Sequence, residues 1–257
     1  MRGNFQMSVV LLCGVLTSNA WAEGEPSVTP YRPTVSNPAA LSQPGWLEVE
    51  AGWNSTRATD DSGRGNLPYL LKFAFAENLG VLLGGDAYIN QTDGAGEQLS
   101  GTGDTLLLLK QKWNAGDAGN AAFGLEYGIK SPTAKEGLGS GKTDYVLNGI
   151  YSSELSGHAI DLNLNLTVLG EAQAGEASQQ WGWATTVSRP LNDTWGIAAE
   201  LSGYTREGTA AASQFLGAVS YAMNRRVVWD AGFSVGITPA APMWGVFAGV
   251  SVLAAKL

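Results

Sequence analysis

The segment Gly137–Thr143, GLGSGKT, ends in the manner of a phosphate-binding loop. Such a loop needs another glycine five places before Gly141, and that place holds Glu136. It also needs a strand before it and a helix after it, so that backbone N–H groups can cradle phosphate. Strand patterns lie on both sides here, and a flexible external loop accounts for the glycines. The chain has one histidine, His158. Histidine acts as a base only beside a nucleophile or an orienting carboxylate. His158 falls at an expected turn, out of phase with the nearby Asp161, and reads as a polar turn residue. The one cysteine, Cys13, lies inside an apolar N-terminal run and follows Leu12, where a lipidated cysteine would follow a small residue. Asp60 and Asp61 form an exposed pair of the kind that binds calcium weakly at best. No base, nucleophile or ligand set emerges, so the protein is expected not to be an enzyme and to carry no cofactor and no metal.

Another set of charges is periodic. Glu50, Lys72, Asp86, Lys110, Glu126 and Glu200 recur on the polar sides of successive strand patterns, at similar distances from one end. The first five alternate in sign. Opposite charges on neighbouring strands attract, and like charges repel. Two readings follow: a ladder that satisfies charges buried inside a barrel, or a constriction that screens solutes by charge.

The strands that must position this ladder are best seen in Gly157–Gly170, GHAIDLNLNLTVLG. Ile160, Leu162, Leu164, Leu166 and Val168 fall on one face; Asp161, Asn163, Asn165 and Thr167 fall on the other. Side chains alternate with period two, so the strand has one apolar and one wet wall. It runs for about the 9–11 residues that a tilted bilayer-spanning strand requires, and this pattern is that of an outer-membrane barrel strand. An arginine is then expected to be tolerated better at Asn163 than at Leu164. The alternative for one such segment, an edge strand of a soluble sandwich, loses ground because the alternation recurs about twelve times between Gly45 and the C-terminus. In the pattern Val81–Asn90, Val81, Leu83, Ala87 and Ile89 read as outward, and Gly84, Asp86, Tyr88 and Asn90 as inward. Inward Gly182, Ala184, Ala218, Ala222 and Gly249 leave space on the side of the lumen facing the ladder.

Connections alternate between short turns and longer Gly/Ser/Thr-rich loops such as Thr56–Gly65, Thr92–Gly101 and Ser131–Lys142. Short periplasmic turns and long external loops are the expected asymmetry of a bacterial barrel, and an even strand count puts both ends in the periplasm. Aromatic residues sort with the connections. Trp46, Trp113, Trp195 and Trp229 lie next to short turns, and Trp53, Tyr69, Trp181, Trp183 and Trp244 next to long loops. Two girdles at the headgroup levels follow.

The start of the chain, residues 1–22, reads as a cleavable signal peptide: Arg2, an apolar core Ser8–Thr17, and the small-x-small site Ala20-Trp21-Ala22. Residues 23–44, with prolines at 26, 30, 33, 38 and 44, read as a periplasmic arm or partial plug. Residues 45–257 are the barrel. A net charge of −8 over 257 residues argues against a nucleic-acid partner. The expected partners are outer-membrane lipid and lipopolysaccharide, the barrel assembly machinery and an unidentified small solute, with the barrel a monomer rather than a trimer.

Three stretches carry a family resemblance: Tyr31–Trp53, Lys130–Tyr145 and Arg226–Gly249. Through them the chain resembles the outer-membrane barrels of the phenol-degradation meta-pathway family of transporters. The resemblance implies a porin-type channel for hydrophobic or aromatic nutrients, and it transfers no catalytic residue. The chain departs from the usual pattern at its end, finishing on Leu257 where such barrels commonly finish on an aromatic residue. Together these readings give an all-β protein: a transmembrane antiparallel up-and-down barrel of about twelve strands. Its expected function is passive uptake of small solutes. The alternative is a structural or adhesion-type barrel with a sealed lumen.

Overall fold

A computed structural model describes residues 25–115 and 121–257. The expected signal peptide, 1–22, lies outside the described residues. Thirteen strands follow in order: β1 (Trp46–Arg57), β2 (Gly63–Ala76), β3 (Leu79–Thr92), β4 (Gln98–Gly101), β5 (Thr105–Asn114), β6 (Ala121–Ser131), β7 (Asp144–Leu155), β8 (His158–Val168), β9 (Gln179–Pro190), β10 (Trp195–Arg206), β11 (Ala212–Asn224), β12 (Val227–Gly236) and β13 (Trp244–Lys256). All neighbours pair antiparallel, and β13 returns to β1, so the sheet closes on itself. Closure removes the open edge that a long sheet would otherwise expose.

β4 and β5 are two halves of one wall strand. β4 pairs with Ile89–Thr92 of β3 and β5 with Leu79–Gly85, in the same register. Between them Thr102–Asp104 leaves the ladder opposite Asp86–Tyr88, keeping one bond from the Gly103 amide to the Asp86 carbonyl at 2.9 Å. The wall therefore has twelve strands. The expected loops at 56–65 and 92–101 are partly strand: β1 runs to Arg57, β2 starts at Gly63, and β4 occupies Gln98–Gly101.

β3 corrects one assignment of faces. Its register against β2 slips between Leu67 and Pro68, where Asp86 and Tyr88 face consecutive β2 residues. The extra residue turns over every side chain beyond it. Ile89 is therefore fully buried inside the barrel, opposite Asn66, and Tyr88 is exposed on the outside beside Leu67. Elsewhere the alternation holds in the middle of strands such as β6, β8 and β10, where outward Phe123, Leu162, Leu164 and Leu201 are exposed and inward Gly124, Glu126, Asn163, Glu200 and Ser202 are buried.

Short turns gather at one end and long loops at the other. The two-residue turn Ser156–Gly157 has positive φ at both residues (52° and 74°), the geometry that continues the twist of a two-residue hairpin. Seven tryptophans, at 53, 113, 181, 183, 195, 229 and 244, are exposed on the outer surface near strand ends. Cross-strand pairs join ring to ring: Trp195 with Tyr221 at 4.9 Å between centroids, and Phe123 with Tyr151 at 5.4 Å. Two further girdle candidates are packed more closely. Trp46 is half-buried with the Arg226 guanidinium 4.7 Å over its ring, and Tyr69 lies half-buried beside Gly85. The chain's last residue is tied in as well, the Leu257 amide donating to the Gly45 carbonyl at 2.8 Å.

Candidate functional site: a lumen occupied by the N-terminal arm

The residues before β1 run inside the barrel. The arm enters at the short-turn end, where the Val28 amide donates to the Arg225 carbonyl, 2.8 Å. It leaves at the same end, where the Gly45 amide donates to the Ala74 carbonyl, 2.9 Å. Between these points it sweeps around the inner wall. The Tyr31 and Arg32 amides donate to Glu50 on β1 (2.7 and 3.1 Å). The Arg32 guanidinium grips Asp230 on β12 through two bonds of 3.0 Å. The Ser36 amide donates to Glu200 on β10 at 2.8 Å, and the Asn37 amide to Asn163 on β8 at 2.9 Å. The Asn37 side chain donates to Glu126 on β6, and the Ala39 amide to Ser152 on β7. The Tyr31 hydroxyl then donates to the Ala40 carbonyl at 2.7 Å, closing the coil on itself. A chain rich in proline cannot pair its backbone as a strand, so its remaining N–H groups donate to wall side chains instead.

The two buried lysines hold both wall and arm. Lys72 meets Glu48 and Glu50 on the neighbouring strand and donates to the Thr29 carbonyl. Lys110 meets Glu126 at 2.9 Å and donates to the Pro38 carbonyl at 2.6 Å. Their ammonium groups lie 3.9 and 4.0 Å from the centroid of the Tyr31 ring, a double cation–π contact. Tyr31 also packs with Leu82 and Leu108, against Leu70, Leu106 and Val146.

Five of the six ladder charges, Glu50, Lys72, Lys110, Glu126 and Glu200, are buried around the arm. Asp86 is not among them. It sits toward the outer end with Asn66 (2.5 Å) and Arg64 (3.4 Å), and the position on β3 between Lys72 and Leu108 is held by Leu82. The bridge between the two lysines is therefore the Tyr31 ring, not a carboxylate. Glu48 and Asp230 belong to the same buried layer, with the half-buried Asp161 beside it, and all three lie outside the six. The sequence carried a signal for this docking in its lumen glycines. A Cβ on Gly52 would sit 2.6 Å from the Arg32 guanidinium, and one on Gly80 would sit 2.6 Å from Leu41. Gly249, read as leaving space, leaves it for Arg32.

The remaining candidates have local partners. His158 Nδ1 lies 3.0 Å from the Ser156 carbonyl at the β7–β8 turn. Asp61 pairs with Arg57 at 3.3 Å. The Ser62 side chain and amide hold the Asp60 carboxyl below its ordinary range. The loop holding GLGSGKT folds onto the wall, with Asp104 accepting from the Ala134 and Ser140 amides and Lys130 bridging Asp104 and Asp144.

A closed twelve-strand antiparallel barrel with an aromatic-banded exterior defines a barrel of the outer-membrane type. The chain belongs to the family described as "Putative MetA-pathway of phenol degradation", whose model matches residues 32–254, arm and barrel together. Among curated proteins, no sequence matches significantly. The fold is similar to that of the COG4313 outer membrane channel from Pseudomonas putida F1 (TM-score 0.64, 14% identity, covering 83% of this chain and 97% of that one). It is also similar to the NanC porin (TM-score 0.57, 10% identity, 80% and 98%) and to the KdgM porin in complex with disordered oligogalacturonate (0.51, 10%, 80% and 98%).

Proposed function

We propose that the protein is an outer-membrane channel for passive uptake of small solutes of hydrophobic or aromatic character. The observation that carries this reading is where the lumen charges lie. Glu48, Glu50, Lys72, Lys110, Glu126 and Glu200 are buried against the arm and one another, not lining a column of water. A general porin for polar solutes keeps such groups wet. Tyr31, Leu82 and Leu108 give the occupied lumen an apolar side as well. Family membership and the channel and porin names of the similar folds support the same reading, as does the barrel's size, which at twelve strands leaves a narrow interior.

The setting belongs to the proposal: a monomer in a Gram-negative outer membrane, exported by the signal peptide at 1–22, assembled by the barrel machinery and belted by lipid and lipopolysaccharide. Enzymatic chemistry has no part in it. The test is uptake of radiolabelled toluene and phenol, supplied at micromolar concentration, by cells with and without the protein. Faster uptake with the protein supports the channel. Unchanged uptake together with zero single-channel conductance supports the second reading, a structural barrel sealed by its arm, which the arm's path across the lumen favours.

A further inference from the structure

We infer that the outer half of the lumen contains a subsite for a neutral single-ring aromatic molecule bearing one hydroxyl group, with Tyr204, Gln214 and Val35 as its determinants. This rests on the uptake reading and names the solute class and the residues that would select it. The subsite is a cavity of about 170 Å³. An apolar cavity of about 150 Å³ accepts benzene, so the volume fits one ring and little more. Its floor is Val35 of the arm, which is more than half exposed although Ser36 next to it is buried. Its roof is Ala241 and Pro242 of the β12–β13 loop. That loop is fastened to β11: the Ile237 amide donates to the Ser213 carbonyl at 2.7 Å, and the Ser213 amide to the Thr238 hydroxyl at 2.9 Å.

The walls supply both parts of the recognition. Tyr204 faces inward, paired across the sheet with the buried Ala212, yet the residue is 43% exposed. A large aromatic face left open inside a barrel offers an edge or offset contact to another ring. Next to it, Gln214 Nε2 reaches Ser202 Oγ at 3.4 Å, at the limit of a hydrogen bond. A ligand hydroxyl placed there would exchange that long bond for shorter ones. No charged side chain lines the cavity, so a benzoate-type anion would lose its hydration without compensation. The chemistry therefore selects a phenol over an unsubstituted ring, and both over a carboxylate.

The experiment uses the full barrel in nanodiscs, with phenol, toluene and benzoate as probes and calorimetry as the readout. Phenol should bind more tightly than toluene, and benzoate should not bind. Tyr204→Ala should weaken phenol by about tenfold, the loss equivalent to a good aromatic contact. Gln214→Leu should bring phenol and toluene to equal affinity, and Val35→Trp should fill the cavity and abolish binding of both. Each variant's fold is verified by heat-modifiable gel mobility. Phenol affinity unchanged in both Tyr204→Ala and Val35→Trp would overturn the subsite, as would benzoate binding as well as phenol. Labelled-phenol uptake in cells separates the two levels. If the wild type accelerates uptake and all three variants match it, the subsite fails and the channel reading stands. If the wild type accelerates nothing while the variants still lose binding, the channel reading fails and the subsite stands.

Discussion

Lys72 has no accessible surface, and its ammonium group meets Glu48, Glu50, the Thr29 carbonyl and the face of the Tyr31 ring. Removing one partner of such a buried group costs about 3–5 kcal/mol, because the remaining charges keep their desolvation without their compensation. Lys72→Met should lower the unfolding free energy in detergent by that amount, read by denaturant titration of tryptophan fluorescence. Adding Glu48→Gln and Glu50→Gln should recover much of the loss. A single mutant as stable as wild type would show that the lysine is not the compensating charge. Lys72, Lys110, Glu50, Glu126 and Glu200 were legible in the sequence as one inward layer, because strict alternation placed them. The level of Asp86 was not, because alternation gives a side chain's face and not its height, and strand pairing sets Leu82 rather than Asp86 beside Lys72; nor were the faces of Tyr88 and Ile89, because the extra residue before them carries no signal in a period-two count. The arm was legible as a periplasmic arm or partial plug, but its docking was not. A proline-rich segment shows that it will not form a strand, but not which side chains will bind its free N–H groups.

At the scale of the element, β8 separates two kinds of inward position. Leu164 is exposed on the outer face, where an arginine near the midplane costs about 2–4 kcal/mol. Alternation alone makes Asn163 a mild site for the same change, since it faces the lumen. The structure reverses this: Asn163 accepts from the Asn37 amide and the Asn148 side chain and donates to the Asn37 carbonyl, all within 3.0 Å. Asn163→Arg should therefore dislodge the arm and shift heat-modifiable mobility as Leu164→Arg does. Thr167→Arg, half-buried beyond the arm on the same face, should leave mobility unchanged. Equal tolerance at 163 and 167 would mean that the arm does not rest on β8. The connecting elements set orientation. Ala95 sits at the tip of the β3–β4 loop and Asp193 in the β9–β10 turn, both exposed. With Cys13 ahead of the expected cleavage site, single cysteines at these positions report topology. Ala95→Cys should react with an impermeant maleimide on intact cells, and Asp193→Cys only after permeabilisation. The reverse pattern would invert the barrel.

For the whole molecule, the arm decides whether the barrel is narrow or wide. Its carbonyls and amides satisfy wall groups that face each other across the lumen, and Arg32 adds a positive charge to the layer. Deleting residues 25–44 removes those bonds and leaves Glu48, Glu50, Glu126, Asp161, Glu200 and Asp230 with only Lys72 and Lys110 to offset them in that layer. Water must then enter, since ionised groups this deep cannot stay dry and unpaired. The lumen glycines facing the arm, Gly52 and Gly80 among them, widen the vacated space because no side chain can refill it. A ring of excess carboxylates draws cations into a pore and repels anions. The deletion variant should conduct at least several-fold more than the full chain in planar bilayers, and its reversal potential in a potassium chloride gradient should move toward that of potassium. Lys72→Met with Lys110→Met in the deletion background should strengthen that cation preference further. Conductance equal to that of the full chain would show that the arm is not the constriction. Raised conductance without cation preference would show that the exposed carboxylates are neutralised by groups outside this layer.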